Sequence, residues 1–302
     1  MVLANIALTG SSGLLGRHIS SVLLKNHFRV IASSRRKSPI KHTNLVWRKM
    51  DLNKKLNQKI LDKTFGRVSA IIHAGAYVSG NSKMINKKSI KICNILATER
   101  LAHWAAKRNI HFVYISGAIV YKSKNKINSE NSKILKASRN IYCNSKILSE
   151  RKLLFYKKKG LKLTILRPSS IYGWGLHKSK IICKFINFSK RKKEINIYNP
   201  DKTNINLIHA YDVSDAVLKS IKKGAKGIFN LGSSELSNFY QVATLSNKIF
   251  KNKKKIKILK KNKISSINML HVNIKKAKKI LNWRPNFFLY HGLSLMVKNK
   301  CF

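Results

Sequence analysis

The chain has 302 residues, and 44% of them are hydrophobic, which suffices for the core of one large domain or two small ones. No run of about eighteen apolar residues occurs, so no membrane-spanning helix is expected. The N-terminal sequence MVLANIALTG lacks the basic region of a secretory signal. The four cysteines (Cys93, Cys143, Cys183 and Cys301) form no C-x-x-C pair and no metal-like spacing with histidine. A cytoplasmic protein with reduced cysteines and no metal site is therefore expected.

The formal net charge is +53, from 63 basic and 10 acidic residues. A charge of this size is typical of proteins that bind nucleic acids or anionic membranes, because clustered lysines release counterions from phosphates. Here lysine is spread along the whole chain, with many Asn and Ile residues and few Pro and Gly, the mixture that AT-rich codons produce. Compositional bias is the favoured explanation, so neither a nucleic-acid nor a membrane partner is expected. The charge would still attract small anionic substrates.

Short apolar strands and amphipathic helices alternate along the first part of the chain. Residues 3–9 form a predicted strand that ends at Gly10, and apolar residues at helical spacing follow it. Further strands are predicted at 28–33, 69–75, 111–116, 161–168 and 227–232, and further helices at 89–108, 141–159 and 238–251. This order predicts an α/β fold with a doubly wound parallel sheet, the Rossmann architecture, covered by helices on both faces.

The alternation breaks after Pro168. Residues 173–206 contain Gly, Trp and a charged stretch, KIKIL within 251–263 predicts a short strand, and WRPNFFLYHGL at 283–293 opens a last helix. We therefore expect a dinucleotide-binding domain over 1–172, to which 208–232 return. A smaller, discontinuous C-terminal substrate-binding region is expected over 173–207 and 233–302.

The first turn has the spacing Gly10-x-x-Gly13-x-x-Gly16, between a strand and a helix. Glycines let the backbone approach a pyrophosphate without a Cβ clash, and the helix then presents free N–H groups to the phosphates. The predicted pyrophosphate-binding residues are Gly10, Ser12, Gly13, Leu14, Leu15 and Gly16.

The end of the second strand indicates which dinucleotide is bound. NAD-preferring Rossmann folds usually have an acidic residue there for the ribose 2′-hydroxyl. This chain instead has Ser33-Ser34-Arg35-Arg36. Arg35 and Arg36 can pair with a 2′-phosphate through charge-assisted hydrogen bonds, so NADP(H) is favoured and NAD(H) is the alternative.

Eight short motifs follow one another along the chain. They are Asp51-Leu52, His73-Ala74-Gly75-Ala76, Asn94 with Thr98, Tyr142-x-x-x-Lys146, Arg167-Pro168 with Ile171-Tyr172-Gly173, Asn206-x-x-His209 with Asp212 and Asp215, Phe229-Asn230-Leu231-Gly232, and Leu281-Asn282-Trp283-Arg284-Pro285. In type and order they resemble the motifs of the extended short-chain dehydrogenases/reductases, the NAD-dependent epimerase/dehydratase family of nucleotide-sugar enzymes. The resemblance covers nearly the full length.

The resemblance implies roles for many of these residues. The implied cofactor-binding residues are Asp51, Leu52, Ala74, Gly75, Ala76, Asn94, Tyr142, Lys146, Pro168 and Ile171. The implied substrate-binding residues are Ser116, Gly117, Ser170 and His209. The resemblance also implies a homodimer formed through the helices at 89–108 and 141–159.

Tyr142 and Lys146 are the predicted catalytic pair. Residues i and i+4 share one face of a helix, so the Lys146 ammonium can lower the pKa of Tyr142 and anchor ribose hydroxyls. Tyr142 can then exchange a proton with a substrate oxygen while hydride moves to or from the nicotinamide. Glu150, four residues after Lys146, is expected to form a helix ion pair with it.

The chain departs from the family pattern at Gly117. The family usually has a substrate-binding Ser or Thr four residues before the tyrosine that is Tyr121 here, and losing such a donor commonly costs about a hundredfold in rate. Ser116, one residue earlier, is the candidate catalytic replacement, or it faces the cofactor. The dehydratases of the family carry Asp-Glu where this chain has Ala118-Ile119, so elimination of water is disfavoured.

The favoured function is an NAD(P)-dependent epimerase or carbonyl/alcohol oxidoreductase that acts on an anionic nucleotide sugar. One alternative is a reductase of a non-sugar ketone that is steroid-, flavonoid- or polyketide-like. The other alternative is a catalytically impaired dinucleotide-binding or RNA-associated protein, which Gly117 and the net charge motivate.

Overall fold

The computed structural model describes residues 4–78, 86–122, 127–200, 203–260, 267–268 and 271–299. Its strands are β1 (Asn5–Thr9), β2 (Arg29–Ser34), β3 (Leu45–Lys49), β4 (Ala70–His73), β5 (His111–Ile115), β6 (Leu163–Pro168), β7 (Ser170–Tyr172), β8 (Ile195–Tyr198), β9 (Thr203–Asn204), β10 (Leu207–His209), β11 (Gly227–Leu231), β12 (Ile256–Leu259) and β13 (Ile267–Asn268).

The helices are α1 (Leu14–Lys25), α2 (Gln58–Phe65), α3 (Lys87–Ile90), α4 (Ala97–Lys107), α5 (Ile141–Lys158), α6 (Ile181–Lys190), α7 (Ala210–Lys222), α8 (Phe239–Ile249) and α9 (Leu289–Lys298). A π-helical turn (Lys91–Leu96) joins α3 to α4, a 3₁₀ turn (Ala118–Val120) follows β5, and a second π-helical turn covers Ala277–Leu281. None of the helices in the described ranges is long and apolar enough to cross a membrane.

Seven parallel strands form the main sheet, in the order β11-β6-β5-β4-β1-β2-β3. The order reverses between β1 and β4, which places a crevice at the carboxyl ends of these two central strands. The glycine turn follows β1, and the H-A-G-A segment follows β4. The predicted doubly wound α/β fold is confirmed.

The side chains of β1 alternate between two apolar cores. Ile6 and Leu8 belong to the cluster that α1 and α7 cover, whereas Ala7 belongs to the cluster that includes Leu101 of α4 and Leu153 of α5. All five are fully or almost fully buried. Burying a side chain of the size of Leu or Ile contributes about 1.5–3 kcal/mol, so the strand is held from both faces. The carboxyl ends of the strands are thereby fixed at one edge of the sheet.

A third apolar cluster lies in the C-terminal part of the chain. It includes Phe185 of α6, Ile195 of β8, Val242 of α8 and Leu293 of α9. Three two-stranded parallel pairs accompany it: β8 with β12, β7 with β10, and β9 with β13. The predicted strand KIKIL is therefore confirmed as β12.

The structure adds helices that the sequence pattern did not predict, α2, α6 and α7, and divides the predicted 89–108 helix at the π-helical turn. The last helix begins at Leu289, inside the predicted segment 283–293 and not at its start. Pro285 precedes it, and the Trp283 indole donates a hydrogen bond to the Asp212 carbonyl (2.8 Å), so residues 283–288 are held against α7 before the helix begins.

Candidate active site

The glycine turn is closed so tightly that side chains would not fit in it. Gly10 has φ +73°, and a Cβ atom there would lie 2.6 Å from the Cα atom of Gly75. A Cβ atom on Gly16 would collide with the Gly10 carbonyl oxygen. Gly13 is the N-cap of α1, no side chain caps this helix, and its first turn carries no acidic residue. The uncapped amides of α1 and the bare backbone of the turn suit a phosphate group.

A cleft runs from this turn along the carboxyl ends of β1, β2 and β4. Its lining includes nine predicted cofactor residues: Gly10, Ser12, Gly13, Arg35, Asp51, Leu52, Ala74, Gly75 and Ala76. It also includes five residues absent from that prediction: Ser33, Ser34, Met50, Tyr77 and Cys93. Four of the five are direct sequence neighbours of a predicted residue, and Ser33 lies two residues before Arg35, which is the signal that could have found them.

Nine predicted cofactor residues do not line this cleft: Leu14, Leu15, Gly16, Arg36, Asn94, Tyr142, Lys146, Pro168 and Ile171. Arg36 is exposed. Asn94 is buried and acts through its neighbours, because its side chain accepts a hydrogen bond from the Tyr77 amide (2.7 Å) and donates to the Tyr77 carbonyl (3.1 Å). Asn94 therefore shapes the wall of the cleft at Tyr77 rather than lining it.

Hydroxyl groups occupy the end of β2. The Ser34 hydroxyl lies 2.9 Å from the Ser11 hydroxyl, accepts a hydrogen bond from the Trp47 indole (3.1 Å) and donates to the Arg36 carbonyl (2.6 Å). These bonds fix the turn after β2 with no carboxylate in it. Arg35 is the charged side chain of this turn that lines the cleft.

His73 supports the opposite wall. Its ring nitrogens lie 2.7 Å from the Thr9 hydroxyl and 2.8 Å from the Thr98 hydroxyl, and the Gly75 amide donates to the same Thr9 hydroxyl (3.2 Å). Burial lowers the pKa of His73 to about 3, so the ring is neutral. Among the described residues, no group of three His, Cys, Asp or Glu side chains is arranged to hold a metal ion.

Helix α5 carries Tyr142 and Lys146 next to the end of β5. Asn140 caps the helix by accepting a hydrogen bond from the Cys143 amide (3.0 Å). The Lys146 ammonium is buried, donates to the Ile115 carbonyl (2.7 Å), and lies 5.7 Å from the centre of the Tyr142 ring. The structure thus brings the two predicted catalytic residues together at the carboxyl end of β5.

The expected lowering of the Tyr142 pKa by Lys146 is wrong for this structure. Burial raises the pKa of Tyr142 to about 12. Burial also lowers the pKa of Lys146 to about 8, and the Glu150 carboxylate opposes that shift. The physical reason is desolvation, which disfavours the charged form of each group, while the ammonium is directed at the Ile115 carbonyl.

The predicted roles of Ser116 and Glu150 need correction. The Ser116 hydroxyl donates to the Glu150 carboxylate (2.5 Å), so it is turned away from a substrate and does not replace the missing donor. Glu150 pairs with Arg167 of β6 rather than with Lys146, through bonds of 2.6 and 3.0 Å, and both side chains are almost fully buried. Arg167 also donates to the Tyr121 hydroxyl (3.0 Å). These residues form a polar layer behind the catalytic pair.

Gly117 lies between two contacts with the first turns of α5. The Ile115 carbonyl accepts from Lys146, and the Ile119 carbonyl accepts from the Cys143 thiol (3.2 Å). Gly117 therefore lies in a segment that is fixed to the first turns of α5 on either side of it. Its backbone is extended (φ −176°, ψ 151°), and a Cβ atom would meet its nearest neighbours at 3.6 and 3.8 Å. The fold itself does not require glycine here.

The structure does not support His209 as a substrate-binding residue. Its side chain is almost fully buried, caps α7 by accepting a hydrogen bond from the Tyr211 amide (3.2 Å), and stacks on the Phe287 ring at 4.4 Å. Burial lowers its pKa to about 3. Ser170, the neighbouring prediction, is half-buried in β7 and pairs with Leu207 of β10. His209 thus joins α7 to the C-terminal segment that contains Phe287, through packing and a helix cap.

Fold and site together define an enzyme of the extended short-chain dehydrogenase/reductase type. The chain belongs to the NAD dependent epimerase/dehydratase family, whose sequence pattern it matches over residues 6–232.

Similar proteins agree with this assignment. An uncharacterized protein of Methanocaldococcus jannaschii is 26% identical over 310 residues, which cover 96% of this chain and 94% of that protein. A dTDP-D-glucose 4,6-dehydratase of Dictyostelium discoideum is 29% identical over 264 residues, covering 79% of this chain and 60% of that protein. The crystal structure of a UDP-glucose 4-epimerase of Thermotoga maritima with UDP-glucose has the same fold (TM-score 0.84, 23% identity, 98% of both chains covered).

Proposed function

We propose that the chain is an NAD(P)-dependent epimerase or carbonyl/alcohol oxidoreductase that acts on a nucleotide sugar. The observation that carries the proposal is the position of Tyr142 and Lys146, one helical turn apart, at the same sheet edge as the glycine-turn cleft. Nucleotide sugars are anionic, and the net charge of +53 favours the binding of anionic substrates. The Thermotoga relative named as a UDP-glucose 4-epimerase adds support at the level of the family.

The glycine turn fits a dinucleotide, because Gly10, Gly16 and Gly75 pack so closely that side chains there would force the turn apart, which leaves bare backbone beside the cleft. When bound, the dinucleotide supplies the hydride acceptor or donor. In the proposed mechanism, Tyr142 exchanges a proton between its hydroxyl and the substrate oxygen. With a pKa of about 12 in this structure, Tyr142 is protonated at neutral pH and is ready to donate to a developing alkoxide. The Lys146 ammonium lies beside Tyr142 and donates to the Ile115 carbonyl, and its remaining N–H groups would be able to bind the ribose hydroxyls of a dinucleotide.

Epimerisation or carbonyl reduction fits the chain better than dehydration. The two residues that follow Gly117 are Ala118 and Ile119, neither of which can transfer a proton, and the 3₁₀ turn that they begin buries Ala118. The Dictyostelium relative is named as a dehydratase, so this proposal separates the chain from that relative on the chemistry of two side chains. A nucleotide sugar treated with the enzyme should yield an epimer or an alcohol, and no dehydrated keto sugar.

For the cofactor we propose a preference for NADP(H) over NAD(H) within this NAD-dependent family. The support is the turn after β2, where Ser33, Ser34 and Arg35 line the cleft without a carboxylate. An acidic residue there would repel a 2′-phosphate, whereas a guanidinium can pair with it. Arg36, which the sequence also suggested, does not line the cleft and is not part of this proposal.

The experiment that tests the cofactor proposal is a fluorescence titration with NADPH and NADH. Wild-type protein should bind NADPH more tightly than NADH, Tyr142→Phe should keep that binding, and Arg35→Ala should lose the difference between the two. Arg29→Ala, which removes an exposed arginine at the amino end of β2, is the matched control. If neither dinucleotide binds at micromolar concentration, the enzyme proposal is refuted.

One observation favours a second candidate function. Gly117 carries no hydroxyl where the family has one, and an added Cβ atom there would meet only the Ile119 side chain and the Pro168 carbonyl at 3.6 and 3.8 Å, so this position suits a less polar carbonyl substrate. A reductase of a non-sugar ketone would oxidise NADPH with steroid- or flavonoid-like ketones and leave nucleotide sugars unchanged. Turnover of a nucleotide sugar and not of these ketones would exclude this candidate.

We also propose that two copies pair through α5 and the helical stretch formed by α3, the π-helical turn and α4. A surface groove between these elements is lined by six apolar side chains and seven polar or charged ones, and the apolar side chains are Ile90, Ile95, Leu96, Ile141, Leu148 and Phe155. Phe155 is half exposed. In sedimentation, wild-type protein should be a dimer and Phe155→Lys a monomer, whereas the same change at exposed Phe288 should have no effect.

A further inference from the structure

Arg17 is an arginine bound to the glycine turn that the cofactor motif does not account for. It follows the third glycine of the turn and lies in the first helical turn of α1. Its Nε atom donates a hydrogen bond to the Ser12 carbonyl (2.9 Å), within the glycine turn itself. The Arg17 side chain makes no other hydrogen bond to any residue that the structure describes. A guanidinium has five N–H donors, so most of the fork of Arg17 remains available.

The guanidinium is held in place although its fork is free. Its Cζ atom lies 5.1 Å from the centre of the Trp174 ring, in a cation–π contact. Its Nη1 atom lies against Gly175, where an added Cβ atom would stand only 3.1 Å away. Arg17 is thus clamped between the glycine turn and the segment that follows β7. Little conformational freedom would be lost when a ligand binds to it.

The positive charge of Arg17 is not neutralised nearby. Within the described part of the chain Arg17 forms no ion pair, and the first turn of α1 carries no acidic side chain. The amides at the start of this 12-residue helix add further positive potential. A planar fork of N–H donors matches two oxygens of a phosphate group.

We propose that Arg17 is a phosphate-binding residue at the junction of the glycine turn and the segment that follows β7, and that it contacts a nucleoside diphosphate. The inference rests on the proposed function, which requires two such ligands. The diphosphate of the dinucleotide and the diphosphate of the nucleotide sugar share this chemistry. Trp174 acts as a positioning residue that holds the guanidinium over the turn.

The test compares wild type, Arg17→Gln and Arg17→Lys in titrations with NADPH, UDP, UDP-glucose and uridine. Arg29→Gln is the matched control, because it removes one exposed arginine at the opposite end of the sheet. Arg17→Gln should weaken binding of a diphosphate ligand about tenfold or more, while uridine binding stays unchanged. A loss confined to NADPH assigns the dinucleotide, and a loss confined to UDP and UDP-glucose assigns the substrate.

Unchanged affinities for every phosphate ligand would overturn the inference, and so would a loss as large for uridine as for UDP. Arg17→Lys keeps the charge and removes the fork, so it should lose several-fold in affinity for the same ligand. If Arg17→Gln does not fold, Arg17→Lys decides the question in the same way. Failure of wild type to bind any of the nucleotides refutes the proposed function instead, which keeps the two failures distinct.

Discussion

Replacing Gly117 with serine should restore a donor that the active site lacks. The extended backbone at Gly117 suits any residue, and the nearest neighbours of an added Cβ atom lie at 3.6 and 3.8 Å, at ordinary contact distance. The substitution should therefore fold without strain. Removing glycine from a position that other residues can adopt stabilises a protein by about 0.4–1 kcal/mol, through the unfolded chain. Gly117→Ala and Gly117→Ser should both show that gain in urea denaturation.

The two variants should differ in rate. A single oriented donor beside the reacting oxygen commonly contributes about 10²–10³ in kcat in sites that evolved with it. A serine added to a site that evolved without it should recover a smaller part of this factor. The kcat of Gly117→Ser with a nucleotide sugar and the dinucleotide should be about tenfold higher than that of Gly117→Ala. Because both variants carry the same Cβ atom, the alanine variant removes steric effects from the comparison. A serine variant that is no faster than the alanine variant would refute the reasoning.

Three further predictions concern the cofactor turn, the buried ion pair and the pH profile. Arg35→Ala should weaken NADPH binding about tenfold and leave NADH binding within about twofold, as fluorescence titration would show; equal losses would contradict a 2′-phosphate contact. Glu150→Gln leaves the buried Arg167 guanidinium unpaired and should lower the free energy of unfolding by about 3–5 kcal/mol. Glu194→Gln, which breaks an exposed pair, should have a much smaller effect in the same urea denaturation, and equal effects would contradict this expectation. Because burial lowers the pKa of Lys146 to about 8, its ammonium is lost as pH rises through that value, so kcat/KM should fall above about pH 8; a profile flat to pH 10 would count against the role of Lys146.

Much of the fold follows from local sequence patterns. The runs that became β1, β4, β5 and β6 are rich in apolar residues and buried along almost their whole length because the sheet is covered on both faces, so they stand out from the polar segments around them. The glycine turn and the Tyr142–Lys146 pair are equally local, since each depends on spacings of three or four residues. Short helices such as α2 are harder to predict because packing rather than propensity stabilises them.

The errors in the predicted site come from contacts between distant residues. The sequence neighbours of Ser116 offer no hydrogen-bond partner, so its hydroxyl is expected to be available. In the structure, Glu150, 34 residues away, accepts a hydrogen bond from that hydroxyl. Glu150 looked paired with Lys146 at helical spacing, but Arg167 on β6 offers two hydrogen bonds in a fork that matches a carboxylate. His209 is a cap and a packing residue, which depends on where Phe287 docks. Such choices are made by the tertiary structure.

The most direct test of the proposed enzyme is transfer of deuterium from NADPH labelled at the reactive nicotinamide carbon, or from labelled substrate to NADP⁺. Wild-type protein is incubated with UDP-glucose, UDP-glucuronic acid and their 4-keto derivatives, and the products are analysed by NMR and mass spectrometry. Wild-type protein should place deuterium on a sugar carbon or produce an epimerised sugar. Tyr142→Phe should form the same products at least about a hundredfold more slowly. Products formed equally fast by Tyr142→Phe would contradict the assignment of Tyr142 as the acid and base. Absence of any product despite NADPH binding would contradict the nucleotide-sugar proposal itself.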